Sequence, residues 1–158
     1  MIDQQIGSHF WLSEFLRSDT AVRHGIDNTP SASELANIIN ILGPGMQQVR
    51  DLLSVPVQVT SGYRGQAVER ALKRKPDTWY STSQHAQGLA ADFVAPQFGS
   101  CRTVCKYLLE HGGDLRFDQL IYEGNWVHIS FAAQSPRREV LTAHFVTGGA
   151  VTYSKGLA

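Results

Sequence analysis

Two periodicities follow one another along this chain, and their order constrains what it can fold into. Leu35, Ile38, Ile39 and Leu42 recur at the i, i+3, i+4, i+7 spacing of one helix face, and Met46, Val49, Leu52 and Leu53 continue that period. From Val55 onward the apolar residues fall instead in short runs that alternate or are rich in Val and Ile, as strands do. Helices first and strands later, without a repeating βαβ rhythm, give the α+β class. The chain has 158 residues and is 42% apolar, enough for one domain with a hydrophobic core. Residues 1–158 are therefore read as a single domain, with N-terminal helices packed on a small antiparallel sheet.

The elements follow from local chemistry. Phe10 to Leu16 reads as a short amphipathic element in which Ser13 caps a helix starting near Glu14. Asn28 to Ser31 is loop-like, and Ser33 precedes a helix that runs through about Leu42. Gly43-Pro44-Gly45 predicts a kink or boundary, because proline lacks the backbone donor and crowds the preceding turn. Val55–Thr60 and Leu89–Val94 are predicted strands, and Ala67–Leu72 a short helix. Lys73–Ser83 is a polar exposed loop containing Pro76. Arg102–His111 is a helix ended by Gly112-Gly113. Gln119–Tyr122 and Trp126–Phe131 form a hairpin about Gly124-Asn125. Val140–Val146 is a further strand before a Gly-rich end.

Charge excludes some functions. Fourteen basic and fourteen acidic residues cancel, and beyond Lys73-Arg74-Lys75 there is no basic cluster, so no nucleic-acid partner is expected. No apolar run approaches the roughly 20 residues of a membrane span, and the first residues lack the basic and apolar regions of a secretion signal. The expectation is synthesis in the cytoplasm as a soluble monomer, with another factor releasing it if it acts outside. Cys101 and Cys105 stand four apart on one helix face; alone they are too few for a metal site, and they read as small buried residues.

Three motifs carry chemistry: Ser61-Gly62-Tyr63-Arg64, Ser83 to Asp92 (SQHAQGLAAD), and Trp126-Val127-His128. They offer two imidazoles and a carboxylate. A catalytic zinc site uses three protein ligands of these types and keeps a position for water, whose pKa the metal lowers to about 7. Spacing alone does not single out such a site, since His-x6-Asp arises often by chance and a strand histidine is usually structural.

In their order and wording the motifs resemble peptidase family M15, in its D-Ala-D-Ala carboxypeptidase-like branch. The likeness runs from about Phe10 to Phe131, including Leu12-Ser13-Glu14-Phe15, Ser18-Asp19-Thr20-Ala21 and Gly25-Ile26-Asp27-Asn28-Thr29-Pro30. It implies a hedgehog-like or D-Ala-D-Ala-peptidase-like fold whose sheet carries a zinc site. It assigns His85, Asp92 and His128 to Zn2+, and Arg64 to polarising the scissile carbonyl. A fixed guanidinium there opposes developing negative charge. Ser83 matches a serine that holds substrate in related dipeptidases, although it could instead cap the turn before His85. Tyr63 and Trp126 are further candidates for substrate contact, and Gly88 for close backbone approach between ligands. The implied substrate is a peptidoglycan stem peptide, cut by a carboxypeptidase or an endolysin-like endopeptidase of phage or prophage origin.

One departure matters. Family members often carry Glu or Asp three residues before the last histidine as general base, and here that residue is Asn125. An amide cannot take a proton from water. If Gly124-Asn125 is a two-residue turn, Glu123 pairs with Trp126 and Ile121 with His128, which puts Glu123 on the His128 face. Glu123 is therefore the candidate base. Asp118 is the alternative, disfavoured by strand parity. The second functional reading is an inactive module that keeps the metal for binding or structure.

Overall fold

The computed structural model describes residues 2–158. Most of the helical chain, residues 12–53, precedes the main sheet, as expected. β1 (Gln5–Gly7) and β2 (Phe10–Trp11) form a small ribbon, followed by α1 (Leu12–Leu16) and α2 (Asp19–His24). α1 begins two residues earlier than Ser13 predicts. Glu14 Oε2 accepts from the Trp11 backbone N–H at 2.7 Å, while the Ser13 hydroxyl is taken up by Asp3 Oδ2 at 2.6 Å. α3 (Ala32–Asn37) is capped by Ser31, whose hydroxyl accepts from the Glu34 N–H while Glu34 returns a carboxylate to the Ser31 N–H.

The Gly43-Pro44-Gly45 boundary does not form. The helical path continues from α3 through a π-helical stretch, Ile38–Leu42, into α4 (Gly43–Leu53). In that stretch the Gly43 N–H donates to the Ile38 carbonyl five residues back. The wider turn makes room for the Pro44 ring, which otherwise presses on the carbonyl four residues back. Gly45 has a packing role: a Cβ there would stand 2.6 Å from the Phe131 ring, so only glycine lets α4 approach the sheet so closely.

Six strands form the main sheet in the order β3-β4-β6-β5-β7-β8. They are β3 (Gln58–Ser61), β4 (Ala90–Val94), β5 (Phe117–Tyr122), β6 (Val127–Phe131), β7 (Glu139–His144) and β8 (Thr152–Lys155). β3 starts later than Val55 because Pro56 cannot join a ladder. The sheet is mixed: β7 crosses to the far side of β5 and runs parallel to it. α5 (Gln66–Lys73) and α6 (Cys101–His111) connect the strands. Cys105 is buried on α6 and Cys101 partly so, both as free thiols.

The sheet has two different faces because alternate residues point to opposite sides. Ala91, Phe93, Leu120, Val127, Ile129 and Phe131 face the helices and join Ile38, Leu42, Met46 and Val49 in one core. Each fully buried Leu, Ile or Phe contributes about 1.5–3 kcal/mol. The opposite face carries Asp92, His128, Ile121 and Leu141 and is open. No helix among the described residues is long and apolar enough to cross a membrane.

Candidate metal centre and its cleft

The open face is organised by strand register. Asp92 on β4 lies directly across from His128 on β6, and Ile121 on β5 pairs with His128 from the other side. The third member, His85, comes from a 3₁₀ turn (Gln84–Gln87) ahead of β4. Ser83 caps this turn, its Oγ accepting from the His85 N–H at 3.2 Å. Gly88 ends the turn at φ +72°, and a Cβ there would stand 2.6 Å from the Glu34 carbonyl. The close approach made by Gly88 is therefore to α3, and not between the two ligands as its position in the motif suggests.

The turn is clamped to the strand exit that carries Arg64. The Arg64 N–H donates to the His85 carbonyl at 3.1 Å, and His85 Nδ1 lies 2.8 Å from the Gly62 carbonyl. A carbonyl only accepts, so Nδ1 holds the proton and Nε2 presents its lone pair. Burial lowers the His85 pKa, which keeps the ring neutral. His85 Nε2 is 3.3 Å from Asp92 Oδ1 and 3.2 Å from His128 Nδ1, and His128 Nδ1 is 3.0 Å from Asp92 Oδ1. Burial raises the pKa of Asp92, but the hydrogen bond it accepts from His128 Nδ1 outweighs it and helps hold the carboxyl well below the usual range.

Those three separations test whether the group suits a metal. A tetrahedral ion with bonds of about 2.0–2.1 Å has ligand atoms about 3.3–3.4 Å apart. The donor triangle is within a few tenths of an ångström of that size, and it is His85, Asp92 and His128 that converge as a possible metal-binding group. The residue types and spacing fit.

Around the group lies a cleft of about 640 Å³. Arg64, Ser83, Glu123 and Trp126 all line it. Arg64 Nη1 stands 3.7 Å from Asp92 Oδ2 and donates to Ser61 Oγ at 3.0 Å. The expected hairpin register is observed, with the Glu123 N–H donating to the Trp126 carbonyl at 3.1 Å. Asn125 is exposed at the turn, whereas Glu123 is partly buried. Its pKa is raised, first by burial and then by the charge of Asp92.

Two candidates stand elsewhere. Tyr63 is buried in the core, its hydroxyl donating to Glu34 Oε2 at 2.8 Å. It does not line the cleft, because Arg64, its neighbour, takes the side facing the metal group. Asp118 is tied to Arg137, whose Nη2 donates to Oδ2 at 2.7 Å, and accepts from Gln84 Nε2 at 2.9 Å. It braces the His85 turn against β5 and is not among the cleft-lining residues.

Sequence reasoning missed Glu69. This carboxylate on α5 has no solvent exposure, yet it accepts from Arg64 Nε at 2.6 Å, Lys73 Nζ at 2.5 Å and Ser81 Oγ at 2.8 Å. It fixes the Arg64 fork. The i, i+4 pairing of Glu69 with Lys73 was its one visible signal.

A family model described as Peptidase M15 matches residues 8–130, most of the chain and all three motifs. The chain belongs to the peptidase M15 family. As an M15 peptidase it is a hydrolase of the metal-dependent kind, and the His–Asp–His group is its possible metal site. No curated protein matches this M15 peptidase.

Proposed function

We propose that this M15 peptidase holds one zinc ion through His85, Asp92 and His128 and hydrolyses peptide bonds in peptidoglycan stem peptides. The observation that carries the reading is the donor triangle of 3.0, 3.2 and 3.3 Å at the floor of the cleft. The substrate class comes from the resemblance of the motifs to the D-Ala-D-Ala carboxypeptidase-like branch. When bound, zinc supplies Lewis acidity, polarising a carbonyl and making water nucleophilic at neutral pH.

The chain's own groups do the rest. Glu123 takes the proton of the attacking water on a carboxylate oxygen as the new C–O bond forms. It returns that proton to the amide nitrogen as the C–N bond breaks. A carboxyl with a raised pKa is better suited to both transfers than an ordinary one. Arg64, held by Glu69 and Ser61, faces the carbonyl oxygen and opposes the negative charge that collects there. Ser83 and Trp126 contact the substrate from the two sides of the cleft.

The test is digestion of purified peptidoglycan by the zinc-loaded protein, with fragments identified by mass spectrometry, with and without chelator. Chelator-sensitive release of stem-peptide fragments is the expected result. Intact stem peptides in the presence of zinc-bound protein would favour the inactive module instead.

A further inference from the structure

A second hollow shares the segment that carries His85. Within residues 81–87, Ser83 and His85 line the metal cleft. Ser81, Thr82, Ala86 and Gln87 line instead a groove of about 330 Å³, together with Glu34 and Asn37 of α3. Bonds within the chain hold this groove in shape. Gln66 clamps Ser81, donating from Nε2 to its carbonyl at 3.0 Å and accepting its N–H on Oε1 at 2.7 Å. Asn37 Nδ2 donates to the Gln87 carbonyl at 2.8 Å, and Gln87 Nε2 to the Thr82 carbonyl at 3.2 Å. These contacts take up the amide nitrogens and leave acceptors over. Asn37 Oδ1, Gln87 Oε1 and Glu34 Oε1 have no hydrogen-bond partner among the described residues, since the bonds to Glu34 fall on Oε2. No basic residue lines the groove, so it offers no counter-charge to a phosphate or a carboxylate. Tyr80 stands in the lining with 72% of its surface exposed.

We propose that this groove is a saccharide site, and that it takes the glycan strand from which stem peptides hang. Its free acceptors call for a ligand rich in hydroxyl and amide N–H donors. Its exposed ring calls for a flat C–H face to lie on. An N-acetylated pyranose has both, and it is neutral, as a lining without cations requires. The placement fits as well. Residues 81–87 carry the metal cleft on some side chains and the groove on others, so one substrate lying across the segment has its peptide at the metal group and its sugar at Tyr80. The identity of the sugar rests on the peptidoglycan reading; the preference for a neutral, donor-rich ligand rests on the groove alone.

The binding test uses the tetramer of β-1,4-linked N-acetylglucosamine, titrated into the protein and followed by calorimetry. Tyr80→Ala should weaken binding about 10-fold, the worth of a ring half covered and stacked. Tyr80→Phe, which keeps the ring, should stay within about 2-fold of the wild type. Thr82→Val, which removes a hydroxyl at constant shape, should cost about 2–5-fold. Tyr80 and Thr82 are exposed, so the fold tolerates these changes. A second measurement compares the zinc-loaded protein on intact peptidoglycan and on free stem peptide. In Tyr80→Ala the ratio of the two rates should fall about 10-fold, because only the polymer carries the sugar. No binding of the tetramer by the wild type, or equal binding by Tyr80→Ala, would overturn the groove and leave the metal reading intact, since this titration needs neither metal nor cleavage. Tetramer binding that depends on Tyr80, with neither substrate cut, would keep the groove and remove the hydrolase.

Discussion

Replacing Glu69 with Ala removes the group that holds Arg64 at the metal cleft. The carboxylate is fully buried and accepts three charged or hydroxyl donors at 2.5–2.8 Å. Breaking a buried ion pair by deleting one partner typically costs about 3–5 kcal/mol. That figure is discounted here, because the side chains left behind, Arg64 at 15% exposure and Lys73 at 39%, recover some hydration. Ser81, at 2% exposure, recovers almost none. The expected loss is about 2–4 kcal/mol, which for a chain of this size lowers Tm by about 6–12 °C. Thermal and urea unfolding of the metal-free protein measures it. Glu69→Gln keeps the shape but not the charge and should fall between the wild type and Glu69→Ala. A loss below about 1 kcal/mol in Glu69→Ala would show that the buried carboxylate is not the anchor claimed here. Acid should act in the same direction. The Glu69 pKa is lowered because hydrogen bonds from Lys73 and Arg64 outweigh its burial. Its stabilisation is therefore present above the ordinary glutamate range and lost as pH falls through the lower folded value.

Further outcomes follow from the same geometry. Glu123→Gln should reduce turnover about 10²–10⁴-fold with zinc content unchanged; a rate near wild type would mean the base lies elsewhere. Arg64→Lys should lose much of the turnover number, because a point charge does not reproduce the planar fork held by Glu69 and Ser61; full activity in Arg64→Ala would remove it from catalysis. Gly45→Ala should destabilise the fold by about 1–3 kcal/mol, measured by urea unfolding, as Phe131 is forced away from α4. Arg137→Ala should cost about 1 kcal/mol at pH 5–8. Hydrogen bonds from Arg137 depress the Asp118 pKa to about 2, so the difference from wild type should shrink below about pH 4 and vanish towards pH 2.

The metal group was legible through the resemblance of its motifs to peptidase family M15, since residue type and spacing alone did not single it out. Few side chains ligate zinc, and His85, Asp92 and His128 lie in motifs with fixed wording. The hairpin register was legible from the turn, since Gly124-Asn125 leaves one natural pairing and that pairing sets Ile121 opposite His128. Other features depend on tertiary contacts that no local pattern encodes. The helix passes through Pro44 by widening one turn, at a place where Gly45 must meet Phe131. β7 lies parallel to β5 because the chain crosses over that strand after β6, and nothing in Glu139–His144 specifies its neighbour. Tyr63 and Arg64 are adjacent in one motif, yet one faces the core and the other the cleft. Glu69 reads as an ordinary helix-surface glutamate until Arg64 and Ser81 are brought over it.

Zinc per chain in the wild type and in His128→Ala, measured by elemental analysis after dialysis against trace metal, tests the central claim most directly. His128 contributes one corner of a donor triangle whose other atoms stand 3.0 and 3.2 Å from its Nδ1. With that corner removed, two ligands remain, too few for a tight site. One zinc per chain is expected in the wild type and almost none in the variant; equal zinc in both proteins would contradict the assignment of His128 as a ligand.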